Sequence, residues 1–125
     1  MWYKIATTRG MFLDDLREPS YVNDESLNII RDSNAAINFV SNFGCPSFIS
    51  FDHDLGGDDT AMIFVKWLVN QDMDNNYKII PKDFKFQVHS QNPIGKQNIE
   101  SYLNGYLSHR EKELENNVVQ NSNNE

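Results

Sequence analysis

Three short apolar segments of this chain each end abruptly in polar residues that can bind a metal ion or a phosphate. They read FLDD at residues 12–15, FISFDHD at residues 48–54 and FQVHSQN at residues 86–92. Short apolar, β-prone runs of this kind are typical of the buried strands of an α/β protein. Parallel strands share one carboxyl edge, and ligands of α/β proteins bind outside it. We therefore expect the three polar ends to form one site.

Strand-like and helix-like segments alternate along the chain. Strands are predicted at Trp2–Ala6, Met11–Leu13, Leu27–Arg31, Ser47–Phe51 and Phe84–Val88. Helices are predicted from about Asn34 to Phe43, from Asp58 or Asp59 to about Asn70, and from Asn92 onward. Asp32 or Ser33 is expected to cap the first helix, Asp58 or Asp59 the second, and Asn92 the third. This alternation favours a mainly parallel sheet with right-handed crossovers.

The length of the chain indicates one domain. At 125 residues it can form one core but not two. We expect the domain to span residues 1–112, and residues 113–125, rich in Asn and Glu, to be a frayed or disordered tail. No segment predicts a membrane span or a secretory signal, and the single Cys45 fits a reducing compartment. A cytoplasmic location is therefore predicted.

The charge of the chain limits the partners it is expected to bind. The formal net charge is −7, and no run of Lys and Arg residues forms a basic stripe. Binding to extended duplex nucleic acid depends on such a stripe, so it is not expected. A small phosphate-containing substrate or an RNA terminus remains open as a ligand. The oligomeric state is not predicted.

Asp14, Asp15 and Asp52 are the candidate metal ligands. Adjacent carboxylates repel each other unless a cation offsets their charge, and ligation by oxygen alone favours Mg²⁺ or Mn²⁺ over zinc. An EF-hand loop starting at Asp52 is excluded, because Gly56 and Ile63 would occupy ligand positions. The Asp-x-Asp spacing of Asp52 and Asp54 also resembles the nucleophile segment of haloacid-dehalogenase-like phosphatases, which stays as a minor alternative.

The remaining candidates serve proton transfer and phosphate binding. Histidine is the side chain best suited to proton transfer near neutral pH, so His89 and His53, with Asp54, are the candidate catalytic residues. Four polar residues near the start of the third helix could bind phosphate, because the backbone N–H groups there favour an anion. They are Ser90, Asn92, Lys96 and Asn98, and Asn92 could also cap the helix. Arg17, beside the acidic pair, is the fifth phosphate-binding candidate.

Taken together, three motifs resemble the cyclic-phosphate processing receiver-like family. They are FLDDLREP at residues 12–19, SFDHDLG at 50–56, and VHSQNPIG at 88–95 with Asn98, and the likeness runs from about Met11 to Leu107. The resemblance implies a three-layer α/β/α sandwich with a mainly parallel, receiver-like (flavodoxin-like) sheet, truncated relative to a full receiver. It also implies that Asp14, Asp15 and Asp52 form a magnesium-binding triad. These are small domains of prokaryotes and phages. The segment Asp59-Thr60-Ala61-Met62 departs from the family pattern.

Three functions compete at this point. The leading hypothesis is a metal-dependent phosphoesterase acting on a cyclic or terminal phosphate, such as an RNA 2′,3′-cyclic phosphate end or a cyclic nucleotide. A signalling receiver that accepts phosphate on Asp52 would also need a lysine at the end of a strand that follows the last helix, and no convincing strand follows the helix that starts at Asn92. The third hypothesis is a non-catalytic module that binds a nucleotide or a protein with the same residues.

Overall fold

The computed structural model describes residues 10–18 and 27–123, so the predicted strand at Trp2–Ala6 lies outside the described residues. The elements alternate as the sequence predicted. They are β1 (Gly10–Leu13), β2 (Leu27–Ile30), α1 (Ser33–Phe43), β3 (Phe48–Phe51), α2 (Ala61–Asp74), β4 (Lys85–Val88) and α3 (Pro93–Asn123).

The four described strands form one parallel sheet in the order β2-β1-β3-β4. From β1 the chain steps to β2 on one side, and it then crosses over to β3 on the other side of β1. The strand order therefore reverses between β1 and β3, which is where α/β sheets bind their ligands. The predicted α/β class with a receiver-like sheet, shorter than that of a full receiver, is confirmed.

Backbone hydrogen bonds hold the polar residues that follow the strands. The amide of Asp14 donates to the Ile30 carbonyl at 3.0 Å, and the amide of Asp52 donates to the Leu13 carbonyl at 2.8 Å. The amide of His89 donates to the Phe51 carbonyl, also at 2.8 Å. Each of the three residues directly follows its strand and adds one more backbone hydrogen bond to the pairing between that strand and its neighbour. Their side chains therefore start from fixed backbone positions at the same edge of the sheet.

The core lies between the sheet and a row of helices in which α1 contacts α2 and α2 contacts α3. Strand residues and helix residues contribute fully buried side chains to it, among them Met11, Leu13, Ile49, Phe51, Phe64, Leu68, Ile99 and Leu103. The sequence predicted α2 to be apolar round much of its surface, and five of its apolar residues are buried. Burial of side chains from all three helices fixes the helix row against the sheet.

The first and third helices begin as predicted. The Asp32 carboxylate accepts a hydrogen bond from the Ala35 amide at 2.7 Å, so Asp32 is the N-cap of α1. The Asn92 side-chain oxygen accepts a bond from the Gly95 amide at 3.0 Å, and Pro93 is the first residue of α3. Gly44 ends α1 with a φ of 90°, a conformation that favours glycine.

The predicted cap of α2 is wrong. The helix begins at Ala61 after Thr60, which makes no side-chain capping bond. The Asp59 carboxylate instead accepts bonds from the amide and the hydroxyl of Ser33, at the start of α1. The loop before α2 folds back on itself, with the Leu55 amide bonded to the Asp59 carbonyl, and this turn directs Asp59 toward α1.

The third helix is longer than the sequence predicted. It continues to Asn123, past Glu113, where fraying was expected to begin. Arg110, at the end of the predicted domain, is buried. The division of the chain at residue 112 stays a prediction. Among the described helices, none combines the length and the apolar character that a membrane span requires.

Candidate metal and phosphate site

Asp14, Asp15 and Asp52 lie together at the switch point of the sheet and form the acidic cluster. One carboxylate oxygen from each residue lies within 4.8 Å of the other two. Asp14 is fully buried and Asp52 is 8% exposed. Several carboxylate oxygens around one point are the donor set that Mg²⁺ and Mn²⁺ prefer. The three residues therefore fit the predicted metal by the chemistry of their donors and by their spacing.

Asp14 is the most heavily hydrogen-bonded member of the cluster. Its Oδ1 accepts bonds from the amides of Leu16 and Arg17, at 3.0 and 2.8 Å. Its Oδ2 lies 3.0 Å from the Arg17 Nε and 2.9 Å from the His89 Nε2. Burial would raise the pKa of Asp14, but these hydrogen bonds and the positive charge of Arg17 outweigh burial and lower it. Asp14 is therefore a carboxylate at neutral pH.

Asp15 and Asp52 keep more of their capacity to bind a ligand. The Asp52 Oδ1 accepts a bond from the His53 amide at 2.9 Å, and its Oδ2 lies 3.5 Å from the Arg17 Nη2. Within residues 10–18 and 27–123, the Asp15 carboxylate has no hydrogen-bonding or ion-pairing partner. The backbone of Gly56, which has a φ of +92°, lies close to Asp15. A Cβ atom at residue 56 would be 3.5 Å from the Asp15 Oδ2.

The acidic cluster opens into a cleft of about 750 Å³, called the site cleft below. Its lining comes from three segments of the chain, which contribute residues 14–17, residues 52, 54, 56 and 57, and residues 90–92. The predicted residues Arg17, Asp54, Ser90 and Asn92 belong to this lining. Lys96 and Asn98 are exposed on α3 and do not belong to it, and neither histidine does. The structure thus brings most of the predicted site together on one surface.

His89 lies behind the acidic cluster with both ring nitrogens engaged. Its Nε2 is bonded to Asp14, and its Nδ1 lies 2.7 Å from the Ser50 hydroxyl. The Gln87 amide donates to the Ser50 oxygen at 3.0 Å, which leaves the Ser50 hydroxyl hydrogen for the Nδ1. The imidazole also stacks on the Phe12 ring, with 4.4 Å between centroids. In this arrangement the Nε2 of a neutral His89 carries the hydrogen and donates it to Asp14.

Sequence reasoning missed Ser50 and Gln87. The two residues are partners in the β3–β4 register, and Ser50 is fully buried. A serine inside the apolar run Phe48–Phe51 was the available signal, because a buried hydroxyl needs a hydrogen-bond partner. The identity of that partner depends on strand register, which the sequence did not specify.

His53 and Asp54 form a pair at the start of α3. The His53 Nδ1 lies 2.9 Å from the Asp54 Oδ1, and the Asn92 amide donates to the Asp54 Oδ2 at 3.2 Å. The hydrogen bond from His53, and after it the bond from Asn92, lower the pKa of Asp54. The His53 ring packs so closely on Gly95 that a Cβ at residue 95 would collide with it. Asn92 thus serves both as a helix cap and as a contact of Asp54.

Arg17 supplies the positive charge at the cluster. Besides its bond to Asp14, its guanidinium lies 3.5 Å from the Asp52 carboxylate and 3.4 Å from the His89 carbonyl. Its side chain is 45% exposed. Arg31, which sequence reasoning also missed, donates to the carbonyls of Asp14 and Arg17 at 3.2 and 2.7 Å. Arg31 therefore holds the backbone segment from which the Arg17 side chain extends.

A parallel sheet with an acidic cluster at its switch point defines a receiver-like α/β domain. The chain belongs to the family of cyclic-phosphate processing receiver domains, whose family model matches residues 9–105. The match includes every site residue described above, and it confirms the resemblance found in the sequence. No curated protein and no solved structure shows significant similarity to the chain.

Proposed function

We propose that the protein is a metal-dependent phosphoesterase that processes a cyclic or terminal phosphate. An RNA 2′,3′-cyclic phosphate end or a cyclic nucleotide is the proposed substrate. The observation that carries the proposal is the site cleft, which joins an acidic cluster to the start of a helix. The family description supports the cyclic phosphate as the substrate class.

The acidic cluster is the proposed site of Mg²⁺ or Mn²⁺. Such an ion would polarise the phosphoryl oxygens and position a water. Asp15 and Asp52 have carboxylate oxygens available for direct contact, whereas Asp14 is already bonded to four donors. The buried carboxylate of Asp14 would add negative charge beside the ion whether or not the carboxylate and the ion are in direct contact.

The phosphate is proposed to bind at the opposite wall of the site cleft. Ser90 and Asn92 lie there, at the N-terminal end of α3, where the helix favours an anion. Arg17 can reach the same space because its side chain is long and half exposed. Lys96 and Asn98 lie one to two turns along α3, and we assign them to the part of the substrate beyond the phosphate.

Of the two candidate acid–base histidines, His53 has the more suitable surroundings. Asp54 engages its Nδ1, as a carboxylate does when it orients a histidine for proton transfer. Its Nε2 has no hydrogen-bond partner within the described residues, whereas His89 uses both ring nitrogens. We therefore assign proton transfer to His53 with Asp54, and orientation of Asp14 to His89.

The test is turnover by the purified protein with Mg²⁺, with Mn²⁺ and with EDTA. RNA oligonucleotides ending in a 2′,3′-cyclic phosphate and cyclic mononucleotides are the substrates. We expect hydrolysis only with metal, and a loss of about 100-fold in Asp52→Asn, because the substitution removes a ligand charge. Asp83→Asn, an exposed aspartate outside the site cleft, is the matched control and should retain full activity.

Two results would contradict this function. Full activity of Asp52→Asn would exclude the proposed metal site. Tight binding of a cyclic nucleotide that is recovered unchanged would instead identify a non-catalytic binding module.

A further inference from the structure

The Asp14 carboxylate has no free hydrogen-bonding capacity. Two backbone amides bond its Oδ1, and Arg17 and His89 bond its Oδ2. A carboxylate offers about four lone-pair sites, so these four donors occupy it fully. A cation that approaches Asp14 directly must therefore displace one of the donors.

The four donors differ in how firmly they are held. The amides of Leu16 and Arg17 belong to a backbone turn that Arg31 holds through two carbonyl bonds. His89 is held by its bond to Ser50 and by its stacking on Phe12. The Arg17 side chain is 45% exposed, and its other two contacts are 3.4 and 3.5 Å long. Its guanidinium is therefore the donor that can leave most readily.

The guanidinium also lies where a metal ion would act. It contacts Asp14 and Asp52, which are two of the three carboxylates of the acidic cluster. A divalent cation among these carboxylates would repel the guanidinium and compete with it for the same oxygens. Arg17 and the metal are thus alternative counter-ions for one set of charges.

We propose that Arg17 is an exchangeable counter-ion of the acidic cluster, which a divalent cation releases toward the substrate phosphate. This inference rests on the metal site of the proposed function. Without metal, the guanidinium neutralises Asp14 and Asp52 and is unavailable to a ligand. With metal bound, it turns into the site cleft, whose lining already includes Arg17, and binds a phosphate oxygen. Metal binding therefore strengthens phosphate binding through a residue of the protein as well as directly.

The first test follows the Arg17 Nε–H group by NMR during a titration with Mg²⁺. The signal is assigned by its loss in Arg17→Lys. In the metal-free protein we expect a shifted Nε–H signal that exchanges slowly with water, because it is bonded to the buried Asp14 carboxylate. Saturation with Mg²⁺ should abolish both the shift of the Nε–H signal and its slow exchange with water. Persistence of the bonded signal at saturating Mg²⁺ would overturn the inference while leaving the metal site intact.

The second test compares binding affinities by calorimetry. Arg17→Ala should bind Mg²⁺ about tenfold more tightly than the wild type does. Mg²⁺ should also strengthen the binding of inorganic phosphate less in this variant than in the wild type. Lys66→Ala, which removes one exposed positive charge on α2, should match the wild type in both measurements. Equal behaviour of the two variants would contradict the exchange. Failure of the wild type to bind Mg²⁺ at all would overturn the metal site and the inference together.

Discussion

Ser50 shows how one buried hydroxyl can orient a functional side chain. It accepts a bond from Gln87 and faces the Nδ1 of His89, whose Nε2 in turn faces Asp14. Because the Asp14 carboxylate can only accept, the Nε2 of a neutral His89 carries the ring hydrogen, and the Nδ1 accepts the hydrogen of the Ser50 hydroxyl. A residue in the middle of a strand thus helps to position the imidazole that holds Asp14 at the end of a neighbouring strand.

Replacement of Ser50 by alanine should destabilise the protein without changing the tautomer of His89. Both the wild type and Ser50→Ala are expected to show the Nε2–H tautomer in long-range ¹H–¹⁵N spectra of the imidazole, because the Asp14 carboxylate can only accept a hydrogen bond. The variant should also lose about 1–3 kcal/mol of unfolding free energy, because the Gln87 amide and the Nδ1 lose their partner. Ser41→Ala, at an exposed serine of α1, is the control for both measurements. A predominant Nδ1–H tautomer in either protein would contradict this account of His89.

At the scale of elements, the loop before α2 also stabilises α1. The Asp59 carboxylate bonds both the amide and the hydroxyl of Ser33, in the first turn of α1. The N-cap of α1, Asp32, bonds a different amide, that of Ala35. Two acids therefore satisfy separate donors at one helix end.

Adjacent aspartates allow this contact to be tested against a close control. Asp59→Ala should lower the free energy of unfolding by about 1–2 kcal/mol, the usual cost of a lost N-terminal cap. Asp58→Ala should leave it nearly unchanged, since Asp58 is exposed. Urea denaturation followed by circular dichroism gives both values. Equal midpoints for the two variants would show that Asp59 does not stabilise α1.

The same contacts show which features the sequence could predict. Asp32 or Ser33 could be predicted as the cap because a capping side chain bonds an amide only a few residues away, and Asp32 makes that bond to Ala35. The partner of Asp59 lies 26 residues away and depends on how a loop folds back, so the neighbouring helix was the wrong choice. The acidic cluster was predictable because the carboxyl ends of parallel strands lie at the same edge of the sheet, whatever the detailed register. Ser50 and Gln87 required that register, and Arg31 required the path of the segment after Asp14.

At the scale of the whole molecule, a buried ion pair fixes the end of the sheet opposite the site. The fully buried Asp72 of α2 accepts bonds from Tyr106 and Arg110 of α3, and also from the amides of Ile79 and Ile80. Burial, and then the hydrogen bond and charge of Asp72, raise the pKa of Tyr106, so its hydroxyl stays a donor. Arg110 also donates to two carbonyls of the segment that leads into β4. This network therefore sets where β4 starts, and β4 carries His89 to Asp14.

Removal of the cation from this network should destabilise the protein while leaving the site chemistry in place. Arg110→Met is expected to lose about 3–5 kcal/mol of unfolding free energy, because it leaves a buried carboxylate without its counter-ion. Lys112→Met, which removes an exposed charge from the same helix, should change the free energy of unfolding by less than about 0.5 kcal/mol.

Urea denaturation measures these losses, and Tyr106→Phe supplies a milder variant if Arg110→Met does not fold. The milder variant should lose about 1.5–3 kcal/mol, the cost of one hydrogen bond to a charged group. Folded Tyr106→Phe should still bind Mg²⁺ as the wild type does, because the acidic cluster lies at the other end of the strands. Equal stabilities of the Arg110 and Lys112 variants would show that the ion pair does not hold the segment before β4. Weakened Mg²⁺ binding in folded Tyr106→Phe would instead show that the position of β4 is transmitted through His89 to the acidic cluster.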